Sequence, residues 1–75
     1  MKHKTIVILG ADGKLGNFIS KTLKKNGHKL INIDISDNTK EVDYICDITD
    51  EKNLKKTIKK IKENYEHIDC VINFS

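Results

Sequence analysis

The spacing of apolar residues along the first third of the chain predicts a strand followed by a helix. Residues 4–9 form a compact, largely β-branched run that ends at Gly10, as expected for a strand buried on both faces. Over Lys14–Lys25 the apolar positions recur every three or four residues, which predicts a helix with one apolar face. That face is predicted to contain Leu15, Phe18, Ile19, Thr22 and Leu23. Asn26 and Gly27 then supply a left-handed end to the helix.

Three further apolar runs predict strands. Residues 28–34 alternate through Leu30, Ile31 and Ile33, residues 42–46 form a short run, and residues 68–74 form a fourth. Strands that alternate with helices favour a parallel sheet with right-handed connections. The link formed by residues 35–41 has only seven residues, whereas a helical crossover needs ~10–12. We therefore expect a loop or a single turn there.

A second helix is predicted between the third and fourth strands. Thr49 is expected to cap it, with Asp50 and Glu51 in its first turn, where acidic side chains complement the positive end of the helix dipole. The predicted apolar stripe comprises Leu54, Ile58, Ile61 and Tyr65. Lysines occupy most of the remaining helix surface, which is typical of a solvated face.

Composition and charge limit the class of protein. The 75 residues allow one small domain, and 37% apolar with 33% charged residues suits a soluble globular piece. The net charge of +3 arises from lysines alone, without the arginines and the aromatic residues in basic clusters that a nucleic-acid reader uses, so we expect no nucleic-acid partner. The first apolar run is too short for a signal peptide or a membrane span, so we expect no membrane partner and a cytoplasmic location.

The main chemical motif is a glycine run that follows the first strand and opens the first helix. It reads Gly10-Ala11-Asp12-Gly13-Lys14-Leu15-Gly16. Gly10 allows a tight turn, Gly13 leaves room for a pyrophosphate against bare backbone, and Gly16 lets the helix pack closely. The helix N-terminus offers free N–H groups to phosphates. A turn without a ligand would also explain three glycines, so a second feature is needed.

Asp34 is that second feature. It ends the second strand, 24 residues after Gly10, close to the ~20 expected for the acidic residue that binds the adenosine ribose of a dinucleotide. A carboxylate accepts hydrogen bonds from both ribose hydroxyls and repels a 2′-phosphate, and Ile35, Ser36 and Asp37 supply no cation. These residues favour NAD over NADP and predict a half Rossmann fold: α/β, with a four-stranded parallel sheet in the order 3-2-1-4 and a helix on each face.

The same strand order separates the two cysteines. The strands of Cys46 and Cys70 would lie three steps of ~4.8 Å apart, about 14 Å, and a disulfide needs Cα atoms within ~7 Å. We therefore expect two reduced thiols. The chain contains no Cys-x-x-Cys and no His/Cys spacing suited to zinc, so no metal site is predicted.

The ordered set of motifs resembles the short-chain dehydrogenase/reductase family over the whole chain. The first strand and its glycine run resemble the family's cofactor loop, with Lys14 where the shorter-chain branch has glycine. Residues 46–50 resemble the segment after the third strand, which implies that Asp47 bonds the adenine amino group and that Ile48 packs near the ring. Residues 68–73 resemble the fourth strand, and Asn73 matches the first Asn of an Asn-Asn-Ala-Gly motif, although Phe74 and Ser75 depart from it.

The cofactor-binding residues predicted in this way are Gly10, Asp12, Gly13, Lys14, Leu15, Gly16, Asp34, Asp47, Ile48 and Asn73. The family's catalytic Ser and Tyr-x-x-x-Lys have no counterpart, because Asp69 stands four residues after Tyr65, and Tyr65 suits a packing role. We therefore expect no catalytic residue in residues 1–75, the nucleotide-binding portion of a longer parent.

The resemblance implies an NAD(P)-dependent oxidoreductase as that parent, with hydride transfer on a carbonyl/alcohol or nucleotide-sugar substrate. We expect binding of a small-molecule substrate, and any formation of oligomers, in the longer parent alone. Two alternatives remain. One is a non-catalytic dinucleotide-binding or sensor module. The other is a basic interaction domain, whose binding to its partner is lost at high salt and does not depend on NAD.

Overall fold

The computed structural model describes residues 3–75, which form a four-stranded parallel sheet in the order β3-β2-β1-β4. One helix follows β1 and the other follows β3. The elements are β1 (Thr5–Leu9), α1 (Lys14–Lys25), β2 (Lys29–Asp34), β3 (Tyr44–Ile45), α2 (Glu51–Asn64) and β4 (Cys70–Asn73). This arrangement confirms the predicted half Rossmann fold and its strand order.

The sheet is buried at its centre, where β1 and β2 lie side by side. Val7 pairs with Ile31 and Ile8 with Asn32, and β1 pairs on its other side with β4. Ile8, Ile31 and Ile33 are almost fully buried. Continuous apolar runs are typical of parallel strands that are covered on both faces.

Each face of the sheet is covered by one helix. On the first face Ile6 and Ile8 form an apolar cluster to which Leu23 of α1 adds. On the second face Val7, Ile31, Ile33 and Cys46 pack against Ile61 of α2, with Leu54 and Tyr65 beside it. The prediction of a helix on each face is confirmed.

The sheet-facing side of α1 differs from the predicted stripe. Gly16 and Ser20 are its buried residues, while Leu15 and Phe18 remain 60% and 66% exposed. Gly16 allows a close approach because it has no side chain, and the Ser20 hydroxyl donates to Asn32 Oδ1 at 2.9 Å within the core. Small residues at positions 16 and 20 therefore face the sheet together with Leu23, whereas Leu15 and Phe18 face outward.

The start of α2 also corrects a prediction. Asp50, not Thr49, is the N-cap, because Asp50 Oδ1 accepts from the N–H groups of Lys52 and Asn53. The Thr49 hydroxyl instead donates to Asp47 Oδ1 at 2.6 Å. Within α2, Thr57 is buried, whereas Ile58 is 39% exposed, so Thr57 takes the place that the apolar spacing assigned to Ile58.

The link between β2 and β3 contains no helix, as expected, and β3 is shorter than predicted. Residues 35–41 form no regular secondary structure, and of the predicted 42–46 strand Tyr44 and Ile45 alone belong to the sheet. The reason lies at Asp43, whose side chain accepts from the Asn32 N–H at 2.7 Å. Because the Asn32 N–H donates to this carboxylate, it is not available to a backbone carbonyl of a longer β3.

The two cysteines lie toward opposite edges of the sheet. Cys46 follows β3 and is buried, Cys70 opens β4 and is exposed, and both are free thiols. Among the helices of residues 3–75, none combines the length and apolar character needed to cross a membrane.

Candidate functional site

The carboxyl ends of the strands meet around a cavity of about 210 Å³. Four of the predicted cofactor-binding residues, Gly10, Asp34, Asp47 and Ile48, line it together. The remaining lining residues are Ile35, Cys46, Thr49 and Ser75. In an open parallel sheet, ligands bind in the crevice outside this edge.

Two of the three motif glycines are required by the chain's own packing. Gly10 has φ +81°, and a Cβ there would lie 3.0 Å from backbone atoms of Phe74 and Ser75. A Cβ on Gly16 would overlap the carbonyl oxygen of Gly10. These contacts explain both glycines without a ligand, because any side chain would push the turn away from α1 or from the end of β4.

Gly13 is different, since no contact within residues 3–75 requires a glycine there. Its backbone (φ −76°, ψ 166°) is open to any residue. The nearest atom to an added Cβ is the Gly10 carbonyl oxygen at 3.6 Å, an ordinary contact, and the residue is exposed. The missing side chain leaves bare backbone facing solvent at the start of α1.

The N-terminus of α1 is open to an anion, whereas that of α2 is closed. Gly13 caps α1 without a side-chain hydrogen bond, and the first turn, which begins with the exposed residues Lys14 and Leu15, has no acidic side chain. At α2, Asp50 caps the helix and Glu51 adds a negative charge. The first N–H groups of a helix have no internal partner, so those of α1 can bind phosphate oxygens.

Asp34 at the end of β2 is held by two backbone donors. Its Oδ2 accepts from the Asp12 N–H at 2.8 Å, and its Oδ1 accepts from the Ile35 N–H at 2.6 Å. Each carboxylate oxygen can accept a further hydrogen bond. The side chain is therefore oriented by the glycine turn and retains capacity for two hydroxyl donors.

The Asp12 carboxylate turns toward the link between β2 and β3. It accepts from the Ser36 hydroxyl at 2.9 Å, from the Asn38 N–H at 2.9 Å and side-chain amide at 3.0 Å, and from the Thr39 N–H at 2.8 Å. These donors, led by the Asn38 and Thr39 N–H groups, hold the Asp12 pKa far below its usual range. Sequence reasoning did not single out Ser36, Asn38 or Thr39, because an irregular link carries no periodic pattern.

Asp47 and Ile48 follow β3 and border the cavity. Asp47 Oδ1 accepts from the hydroxyl and the N–H of Thr49, and these bonds lower the Asp47 pKa, the hydroxyl having the larger effect. Ile48 is half-buried against the apolar cluster under α2. The pair thus presents one charged and one apolar group to the same space.

Asn73 ends β4 beside Leu9 of β1, outside the lining of the cavity. Its Oδ1 accepts from the Ser75 N–H at 2.8 Å and the Ser75 hydroxyl at 2.6 Å, while its amide nitrogen has no partner within residues 3–75. Tyr65 packs on the cluster under α2, as predicted. Burial, with smaller contributions from Tyr44 and Asp43, raises the Tyr65 pKa.

The family model described as short chain dehydrogenase matches residues 4–74. The match covers both helices and all four strands of the sheet. No curated protein matches the chain. With the parallel sheet, the glycine turn and the acidic residue after β2, this match shows that the chain belongs to the short-chain dehydrogenase family.

Proposed function

We propose that the chain binds NAD across the carboxyl ends of its strands, as the cofactor-binding portion of an NAD-dependent oxidoreductase. Family membership supports an oxidoreductase of the short-chain dehydrogenase type. We further propose that the parent acts on a carbonyl/alcohol or nucleotide-sugar substrate. Bound NAD would supply the hydride acceptor, and the residues described above would bind and orient it.

One observation carries the proposal: no packing contact in the described part of the chain requires a glycine at position 13. An added Cβ would meet only the Gly10 carbonyl oxygen at 3.6 Å. The space in front of Gly13 lies at the uncapped start of α1, where backbone N–H groups and the helix dipole favour an anion. A pyrophosphate resting on Gly13, with the first-turn N–H groups of Lys14 and Leu15 as donors, gives that bare backbone a role.

The rest of the proposed site follows the strand ends. Asp34 accepts from the two hydroxyls of the adenosine ribose, for which each of its oxygens has a free acceptor position. Asp47 and Ile48 border the adenine. Asn73, whose side-chain N–H groups are unpaired among residues 3–75, would lie toward the nicotinamide-side ribose.

A preference for NAD over NADP follows from charge. A 2′-phosphate would add about two negative charges beside the Asp34 carboxylate. The segment after Asp34 offers no cation before Lys40. The residues assigned to NAD binding include no acid/base pair for the hydride-transfer reaction. We therefore expect the 75-residue chain to bind NAD without oxidising or reducing an alcohol or ketone.

Gly13→Ala, with Gly16→Ala as its matched comparison, tests the proposal. Gly13→Ala should lower the free energy of unfolding by under ~1 kcal/mol, the cost of Ala at an N-cap, yet weaken NAD binding by at least about tenfold because its methyl group occupies the pyrophosphate position. Gly16→Ala should cost ~3 kcal/mol or more, because its methyl group overlaps the Gly10 carbonyl. Urea unfolding and calorimetric titration with NAD measure the two effects.

The wild-type chain is the first control. If the folded wild-type chain takes up no NAD, the proposed function is wrong. If it binds NAD and Gly13→Ala binds equally well, the pyrophosphate does not rest on Gly13.

A further inference from the structure

Asp12, in the glycine turn, is bonded both to Asp34 at the end of β2 and to the segment that follows it. Its N–H donates to Asp34 Oδ2 at 2.8 Å, and its carboxylate accepts four hydrogen bonds from residues 36–39. The glycine turn is therefore tied both to the ribose-binding carboxylate and to the link that follows it. The Asp12 carboxylate points toward the link and is bonded there through both oxygens, three bonds to Oδ2 and one to Oδ1, so its main contacts are with the chain itself.

Asp12 holds segment 36–39 almost alone. Within residues 3–75, the other hydrogen bonds of this segment join it to itself or to Glu41 and Val42 at its end. The link lacks the helix that normally packs such a connection onto the sheet. Loss of the Asp12 carboxylate would leave the segment without a hydrogen bond to the glycine turn.

The segment leads directly to Lys40, the cation of the link. Lys40 lines a separate groove of about 710 Å³, together with Lys21, Lys24 and Lys25 of α1, and does not line the cavity at Asp34. Lys40 is held on the side of the link away from the ribose position by anchors before and after it. Asp12 fixes residues 36–39, and Glu41 accepts from the side-chain amides of Asn17 and Asn32. Release of residues 36–39 would remove the anchor before Lys40, leave the Glu41 anchor after it, and give the Lys40 side chain freedom to approach a 2′-phosphate.

We propose that Asp12 is a positioning residue that makes the ribose site selective for a dinucleotide without a 2′-phosphate. Asp12 orients Asp34 through its N–H, and its carboxylate fixes segment 36–39, the part of the link that precedes Lys40, away from the site. The inference rests on the proposed binding of NAD and adds a determinant of selectivity that does not itself contact the cofactor.

The test compares Asp12→Asn with the wild-type chain. Calorimetric titrations with NAD and with NADP give two affinities for each protein, and their ratio is the deciding quantity. Asp12→Asn should lower the NAD:NADP affinity ratio by roughly tenfold, the effect of losing one charge-assisted anchor. A merely structural role would weaken both affinities equally and leave the ratio unchanged, which would overturn the inference.

Two further variants keep the test decisive. The double variant Ser36→Ala/Asn38→Ala removes two side-chain donors from the same carboxylate and leaves the glycine turn unchanged. It should lower the NAD:NADP affinity ratio as well, and it replaces Asp12→Asn in the test if Asp12→Asn does not fold. Asp69→Asn is the matched control, since Asp69 also accepts a backbone N–H, from Thr5, but at the opposite end of the sheet. Its ratio should equal that of the wild-type chain, and a shift as large as that of Asp12→Asn would overturn the inference.

Amide hydrogen exchange separates this inference from the proposed function. In Asp12→Asn the N–H groups of Asn38 and Thr39 should lose protection without any ligand, while those of β1 and β2 keep it. Unchanged protection at both residues would show that Asp12 does not hold the segment, whether or not NAD binds. A wild-type chain that keeps this protection yet binds neither dinucleotide would instead refute the proposed function and, with it, the selectivity assigned to Asp12.

Discussion

Aspartate is the residue that most often secures the irregular parts of this chain. All seven aspartates accept at least one backbone N–H, at turns, at a helix start or beside a strand. They are Asp12, Asp34, Asp37, Asp43, Asp47, Asp50 and Asp69. A short carboxylate can reach a nearby N–H group and thereby replace a secondary-structure bond.

This use of aspartate predicts sensitivity to acid. The pKa values of Asp12, Asp47 and Asp69 are lowered, at Asp69 chiefly by the Thr5 N–H, so the unfolded chain binds more protons than the folded chain in acid. Their stabilisation is complete above the ordinary aspartate pKa of ~3.9 and is lost as the pH falls through it toward the folded values. Circular dichroism melts should show a falling melting temperature as the pH is lowered from about 5 to 3.

Asp69→Asn provides the control for that experiment. Removal of the Asp69 carboxyl should reduce the dependence of the melting temperature on pH, because one group with a lowered pKa no longer titrates. A melting temperature that stays constant down to pH 3 would contradict the assigned role of these carboxylates.

At the scale of elements, the two helix starts differ in their caps: the Asp50 side chain caps α2, whereas Gly13 caps α1 without a side-chain hydrogen bond. Asp50→Ala should lower the free energy of unfolding by ~1 kcal/mol, the usual value of an N-cap, because the Lys52 and Asn53 N–H groups lose their acceptor. Thr49→Ala, the adjacent position, should cost less, since the Thr49 hydroxyl bonds to Asp47 and not to an N–H group of the first turn of α2. Urea unfolding of both variants makes the comparison, and a larger loss in Thr49→Ala would restore Thr49 as the cap.

The sequence predicts the type and order of the elements well. The bounds of α1, Lys14–Lys25, agree with the structure because the glycine turn and Asn26-Gly27 mark both ends. The position of Asp34 at the cavity is likewise predictable from its separation from Gly10 along the sequence, which is 24 residues. These features follow from local backbone rules, which a single sequence displays directly.

Helix faces and short strands are less predictable. In α1 the stripe of Leu15 and Phe18 is as periodic as that of Gly16 and Ser20, and periodicity alone cannot show that the small residues face the sheet. In β3 an apolar run predicts five residues, but the Asp43 side chain bonds to β2 and shortens the strand. The bonds from Asp12 to segment 36–39 depend on tertiary geometry and leave no pattern in the sequence.

At the scale of the whole molecule, β4 is an exposed edge. Val71 of β4 is 58% exposed, and within residues 3–75 β4 pairs with β1 on one side and with no strand on the other. A free edge with an apolar side chain favours pairing between molecules. Val71→Lys should therefore reduce the concentration-dependent self-association that sedimentation velocity detects in the 75-residue chain, with little change in melting temperature.

Ile58→Lys is the matched control for edge pairing. It places the same charge at a partly exposed apolar position on α2, away from the edge. Both variants change the net charge equally, so only an effect of the edge separates them. Equal loss of self-association in the two variants would assign it to general charge repulsion instead.

The cavity at the strand ends takes its walls from residues far apart in the chain, from Gly10 to Ser75. No isolated segment contains more than a fraction of these walls, so only molecules with all four strands paired can present the complete pocket. A ligand that recognises the complete pocket is therefore a ligand of the native state, and its observed affinity falls in proportion to the population that is folded. In a domain this small, the folded population is easily reduced by a substitution. The affinity measured for each variant must therefore be divided by its folded fraction before variants are compared.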